Sequence, residues 1–218
     1  MPARKPPDAD SRQRLLRAGV TLARRKGLRT MTVRAVAAQA KANLGSFVYH
    51  FGSRDAFVEE LIEHLYAPLF ARLELEAATG GSALEQLRHV MLRLVAWLVE
   101  QRGFIAHLLL DAGAGEAGVK RFLRTLDRRH PALVLTLIVR AQQAGQLRRD
   151  EPMHQLLFLM STMAAPVLLL HLAGRHGIAA RQFVRTMDAF ATEPAQVATR
   201  LDWALRALAA DPPPEARR

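Results

Sequence analysis

The period of its apolar residues most constrains what this chain can fold into. Hydrophobic positions recur at i, i+3 and i+4 nearly throughout, Gly and Pro fall mostly at segment edges, and β-branched runs are short. Such a pattern makes amphipathic helices, and no strand is evident in it. The expected fold class is all-α. Half of the 218 residues are hydrophobic, which supplies a substantial core and excludes disorder of the whole chain.

Capping residues divide the pattern into segments. Asp10 or Ser11 is placed to cap a helix running to about residue 26, with Leu15, Leu16, Gly19, Val20, Leu22 and Ala23 on its apolar side. Gly27 stops it. Thr32 caps a short helix whose Val33, Val36, Ala37 and Ala40 share one face. After a turn at Lys41-Ala42, Asn43 caps a second short helix, about 44–50, with Leu44, Phe47, Val48 and Phe51 directed inward. Ser53 caps a long helix over 54–78. Further helices are expected at about 83–100, 103–111, 118–129, 131–144, 152–173, 180–190 and 194–209, with a flexible break at 112–115. Residues 1–10 read as a loose basic arm and 211–218 as a disordered tail.

Charge is distributed unevenly over these segments. The net charge is +11, and residues 1–60 hold twelve Lys and Arg against five Asp and Glu. That is +7 in the first 60 residues, where an even spread would give about +3. A local basic surplus points to a polyanionic partner.

Several function classes find no support. There is no cysteine, so disulfides, thiolate metal sites and thiol catalysis are excluded. The eight histidines are scattered without metal-ligand spacing, and no Gly-rich loop follows a strand. Neither a metal, a cofactor nor catalysis is expected. The N-terminus lacks the apolar region of a secretory signal. Residues 152–173 form an uncharged apolar run, but one interrupted by His154, Gln155, Ser161, Thr162, Pro166 and His171. It reads as a helix buried on most sides rather than as a membrane span.

The chemistry lies in the two short helices. Two helices joined by a tight turn and preceded by a third form a helix-turn-helix unit, which leaves one helix free to enter the DNA major groove. The outward residues suit that task. Ser46 can bond base edges or phosphates, Gly45 lets the backbone approach closely, and Tyr49 and His50 reach phosphates. Arg34 is long enough for a bidentate contact with guanine O6 and N7. Thr32 and Asn43 stand at helix N-termini, where free N–H groups favour phosphate. Arg54 opens the next helix, placed to clamp a phosphate.

The stretch from Thr32-Val-Arg-Ala-Val-Ala to Tyr49-His-Phe-Gly-Ser-Arg-Asp-Ala-Phe57 resembles the DNA-binding signature of TetR-type transcriptional regulators. Caps, turn, aromatic cluster and following helix start all fall in order over about residues 11–60. Two positions depart from it. Val48 stands where the family often has a DNA-contacting tyrosine, so Tyr49 is expected to take over part of that contact. Lys41 stands where the turn commonly has Gly. The resemblance implies a DNA-binding set of Thr32, Arg34, Lys41, Asn43, Leu44, Gly45, Ser46, Tyr49, His50 and Arg54.

It further implies a DNA-binding domain at 1–55 and an effector-binding and dimerisation domain at 56–210. Dimerisation is expected through the helices at about 152–173 and 194–209, which would account for the uncharged run. A two-fold dimer implies a roughly palindromic double-stranded operator. Trp97, Phe104, His107, Leu108, Leu133, Leu137, Met160 and Met163 are candidates to line an effector pocket, and their character favours a small apolar effector. The expected protein is a cytoplasmic regulator, a repressor released by its effector. Two other readings stay open. One is a regulator that binds DNA constitutively or under control of a protein partner. The other is a membrane-associated helical protein using the basic arm and the helix at 152–173.

Overall fold

The computed structural model describes residues 9–210. Residues 1–8 of the expected arm and the tail from residue 211 lie outside the described residues. Ten α-helices account for most of the described chain. They are α1 (Ala9–Lys26), α2 (Val33–Gln39), α3 (Leu44–Phe51), α4 (Arg54–Ala78), α5 (Ala83–Gly113), α6 (Ala117–Leu123), α7 (His130–Gln143), α8 (Pro152–His176), α9 (Arg181–Thr192) and α10 (Pro194–Ala207). Among the described residues there is no strand, only an isolated antiparallel bridge between Leu147 and Ala209.

The helices form two compact units. Among the described residues, the first comprises 9–68 and 103–125, the second 69–102 and 126–210. In the first, α1, α2, α3, the start of α4, the end of α5 and α6 share a core. Phe47, Phe51 and Phe57 cluster in it with ring centroids 4.8–5.4 Å apart. Edge-on and tilted contacts of this kind add to simple burial. Gly19 admits that cluster against α1, since a Cβ there would lie 2.6 Å from Cζ of Phe57. Gly118 does the same between α6 and α4, where a Cβ would meet Val58 at 2.8 Å.

The second unit buries Leu73, Leu87, Met91, Leu137, Ile138, Leu159, Met163 and Leu201. Three ion pairs tie its helices together, Glu76 with Arg93 at 2.8 Å, Arg88 with Asp202 at 2.8 Å and Arg102 with Asp188 at 3.0 Å. Arg200 closes the end of α9 by donating to the carbonyls of Phe190 and Ala191.

Several sequence expectations change. The helices expected at 83–100 and 103–111 are one, α5. Gly103 costs a helix only about 1 kcal/mol, and burial of Phe104, Ala106 and Leu108 just beyond it holds the helix together. The expected helix at 118–129 is cut short. α6 ends at Leu123, and a 3-10 turn follows at Leu126–Arg128. Thr125 donates both its backbone N–H and its hydroxyl to the Phe122 carbonyl, which competes with the helical ladder. The flexible break narrows to Ala114–Gly115, where Gly115 takes a φ of +94°.

The largest change concerns α8. Only 22% of its most apolar 18-residue window is buried within the protomer, and Leu157 and Leu169 stand exposed. By length and composition it could cross a membrane. Apolar composition shows that a helix needs cover; it does not show that its own chain provides it.

Candidate nucleic-acid interface

The two caps hold the helix-turn-helix in shape. Thr32 Oγ1 accepts the Ala35 N–H at 3.1 Å, and Asn43 Oδ1 accepts the Ser46 N–H at 2.7 Å. Both residues have the extended backbone that an N-cap requires. Between them Lys41 takes a φ of +51°, the one left-handed non-glycine among the described residues. A side chain there strains the backbone, so the turn is made at some cost.

Helix α3 divides sharply into two faces. Phe47 and Phe51 are buried, whereas Val48 is 57% and Tyr49 68% exposed, with Leu44 also open to solvent. Leu44 and Val48 were expected inward. They instead share the outer face with Tyr49, because Phe47, Phe51 and Phe57 already fill the core. Gly45 and Ser46 are half-buried at the margin of that face. Arg34 on α2 and Lys41 in the turn are exposed.

Two of the expected phosphate ligands are otherwise engaged. The His50 Nε2 and Ser11 Oγ lie 2.6 Å apart, joining α3 to α1. Asp10 and Ser11, the two residues expected to cap α1, both lie inside that helix, and Ser11 is buried. Beside it Arg12 pairs with Glu60 and stacks over the Phe51 ring at 5.8 Å.

Arg54 is turned into the protein. Its Nη1 and Nη2 donate to Glu116 Oε1 and Oε2 at 2.8 and 3.1 Å. Its Nε donates to the Met31 carbonyl at 2.8 Å, and Nη2 also reaches the Leu28 and Arg29 carbonyls. The hydrogen bond to Glu116 raises the Arg54 pKa above its ordinary value, against the opposing effect of burial. Asp111 completes the arrangement by accepting the Leu28 and Arg29 N–H groups at 2.6 and 3.2 Å. The 28–31 loop that feeds directly into the Thr32 cap is thus gripped from both sides. Asp111 and Glu116 had no local signal in the sequence, since both act over more than 60 residues of separation.

The candidate effector residues divide between the units. Phe104, His107 and Leu108 belong to the first, and Trp97, Leu133, Leu137, Met160 and Met163 to the second. Phe104, Leu108, Leu137 and Met163 are buried. The His107 ring sits against the end of α1, with Nδ1 3.1 Å from where a Gly27 Cβ would be.

A compact helical unit that exposes one short helix beside basic side chains is the arrangement of a helix-turn-helix DNA-binding protein. Residues 15–61 match the model of the bacterial regulatory proteins of the tetR family. Over these residues, the helix-turn-helix and the helices that flank it, the chain is similar to the DNA-binding region of tetR-family regulators.

The HTH-type transcriptional repressor KstR2 of Mycolicibacterium smegmatis is 35% identical over 79 residues, 36% of this chain and 38% of that protein. The match therefore spans well under half the length of that relative. Among solved structures, the ketosteroid transcriptional regulator KstR2 of Mycobacterium tuberculosis aligns with a TM-score of 0.67 at 18% identity, over 94% of this chain and 98% of that one. The transcriptional regulator FadR of Bacillus subtilis, solved in complex with stearoyl-CoA, aligns with a TM-score of 0.64 at 12% identity, over 84% and 98%. These likenesses extend the shared all-α fold over nearly the whole chain.

Proposed function

We propose that this chain is a ligand-responsive, sequence-specific transcriptional regulator that acts in the cytoplasm as a homodimer. The observation that carries the reading is the outer face of α3. Leu44, Val48 and Tyr49 are exposed there, with Arg34 and Lys41 open to solvent on the neighbouring helix and turn. Arg34 reads a guanine edge, Ser46 and the Gly45 backbone approach the groove, and Tyr49 and Lys41 meet phosphates. Thr32 and Asn43 orient the helices. His50 and Arg54 shape the surface from behind.

The exposed apolar residues of α8, together with the exposed Trp203 of α10, support dimerisation through these two helices. Burial against a partner would cover apolar surface that the protomer leaves in water. A dimer would place two recognition helices in successive major grooves, about 34 Å apart on a palindromic operator. The resemblance to a repressor and to a regulator solved with a bound acyl-CoA supports repression released by a small effector. In that reading residues 1–55 read DNA and residues 56–210 sense and dimerise.

Selection of bound sequences from a random duplex library tests it. A palindromic consensus, with affinity falling steeply as salt rises, is expected. Binding without sequence preference, or recovery of the protein in membrane pellets, would refute the reading.

A further inference from the structure

We propose that a cleft in the second unit binds an elongated monocarboxylate, with its carboxylate at Arg93 and its apolar tail along α5. The cleft has a volume of about 770 Å³, bounded by the end of α4, the middle of α5 and the start of α10. That is ample for a small organic ligand. None of the effector candidates singled out from the sequence lines it, so the site is distinct from the one that they suggested.

Its walls separate into an apolar floor and two polar ends. Leu92 and Val99 of α5 and Val197 and Ala198 of α10 supply the apolar lining. At one end the Arg93 Nε donates to Glu76 Oε1 at 2.8 Å. That bond holds the guanidinium plane and leaves Nη1 and Nη2 with no partner among the described residues. Two parallel N–H donors in a fixed plane match the two oxygens of a carboxylate. His89, one turn away on the same helix, also lines the cleft.

The other end carries the opposite charge. Glu100 lies seven residues beyond Arg93 on the same helix face, about 10 Å along the axis. It has no ion-pair partner among the described residues. A second carboxylate there would meet like charge, so the site selects a single acid group followed by a tail of about that length. Glu76 fixes Arg93 but also reduces the field at the cleft, so recognition rests on hydrogen-bond geometry more than on net charge.

Calorimetric titration of the full chain with decanoate, decylamine and decanedioate, below micelle-forming concentrations, tests the proposal. Decanoate should bind saturably, and the amine and the diacid at least about tenfold more weakly. Arg93→Gln should weaken decanoate about tenfold or more, since a charge-assisted bidentate contact is lost. Ala96→Phe, at an exposed position of α5, should fill the floor and abolish binding while the melting curve stays unchanged. Failure of decanoate to bind, preference for decylamine, or decanoate binding indifferent to both variants overturns the proposal. Operator affinity in the same samples keeps the regulatory reading separate. Decanoate bound at this cleft without any change in operator affinity supports the site while removing it as the effector site.

Discussion

Arg54 and Glu116 form a two-point ion pair across 62 residues of sequence, at 2.8 and 3.1 Å, with Glu116 only 7% exposed. The same guanidinium holds three carbonyls of the 28–31 loop. One arginine therefore joins α6, the start of α4 and the loop that sets the position of α2. Removing either partner leaves the other charge partly buried and unpaired, which is costly. Glu116→Gln and Arg54→Met should each destabilise the protein by about 2–3 kcal/mol. Chemical denaturation of both single variants and the double variant should show strong coupling. Additive losses would mean that the pair does not act as a unit.

Arg34→Ala should cost about 1–3 kcal/mol on the selected operator and relax the preference at one base pair. Tyr49→Phe should weaken operator and random duplex alike, as loss of a phosphate contact does. Fluorescence titration against both duplexes separates the two roles. Equal loss on random DNA after Arg34→Ala would assign that residue to phosphate.

Lys41→Gly should raise stability by about 1 kcal/mol, because glycine takes the left-handed backbone of this turn without strain. Its effect on DNA should run the other way. If Lys41 neutralises a phosphate, the dependence of log K on log salt should become shallower by about one unit. Thermal melts and salt titrations read the two effects independently.

His130, at the start of α7, has its pKa pushed down to about 4 by burial. The unfolded chain binds a proton there near the ordinary value of about 6.5, whereas the folded chain does not until about 4. The stability held at neutral pH is therefore lost as pH falls from about 6.5 to 4. The loss amounts to about 3 kcal/mol at the lower limit. Denaturation at pH 7 and pH 4.5 should show a smaller drop for His130→Gln than for the natural chain. Equal drops would show that this histidine protonates freely in the folded state.

Local signals were legible wherever local forces act. The caps Thr32 and Asn43, the stop at Gly27 and the bounds of the helix at 54–78 depend on residues within a turn or two of each other, and all stand where the sequence put them. The strained turn at Lys41 was visible as a missing glycine. The inward assignment of Leu44 and Val48 failed because both obey helical period. Phe47, Phe51 and Phe57 compete for the same core and exclude them.

The sequence by itself determined the all-α class, the place of the helix-turn-helix and the concentration of basic charge around it. These follow from periodicity, capping and composition, which are properties of neighbours along the chain. Only the tertiary structure decided what Arg54 does, since Glu116 meets its guanidinium across 62 residues of sequence while Asp111 takes the loop N–H groups beside it across 83 and 82. It also decided that His50 meets Ser11 and that α8 keeps apolar surface exposed. A side chain's partner is set by which helices pack together, and that packing is settled by the whole core at once.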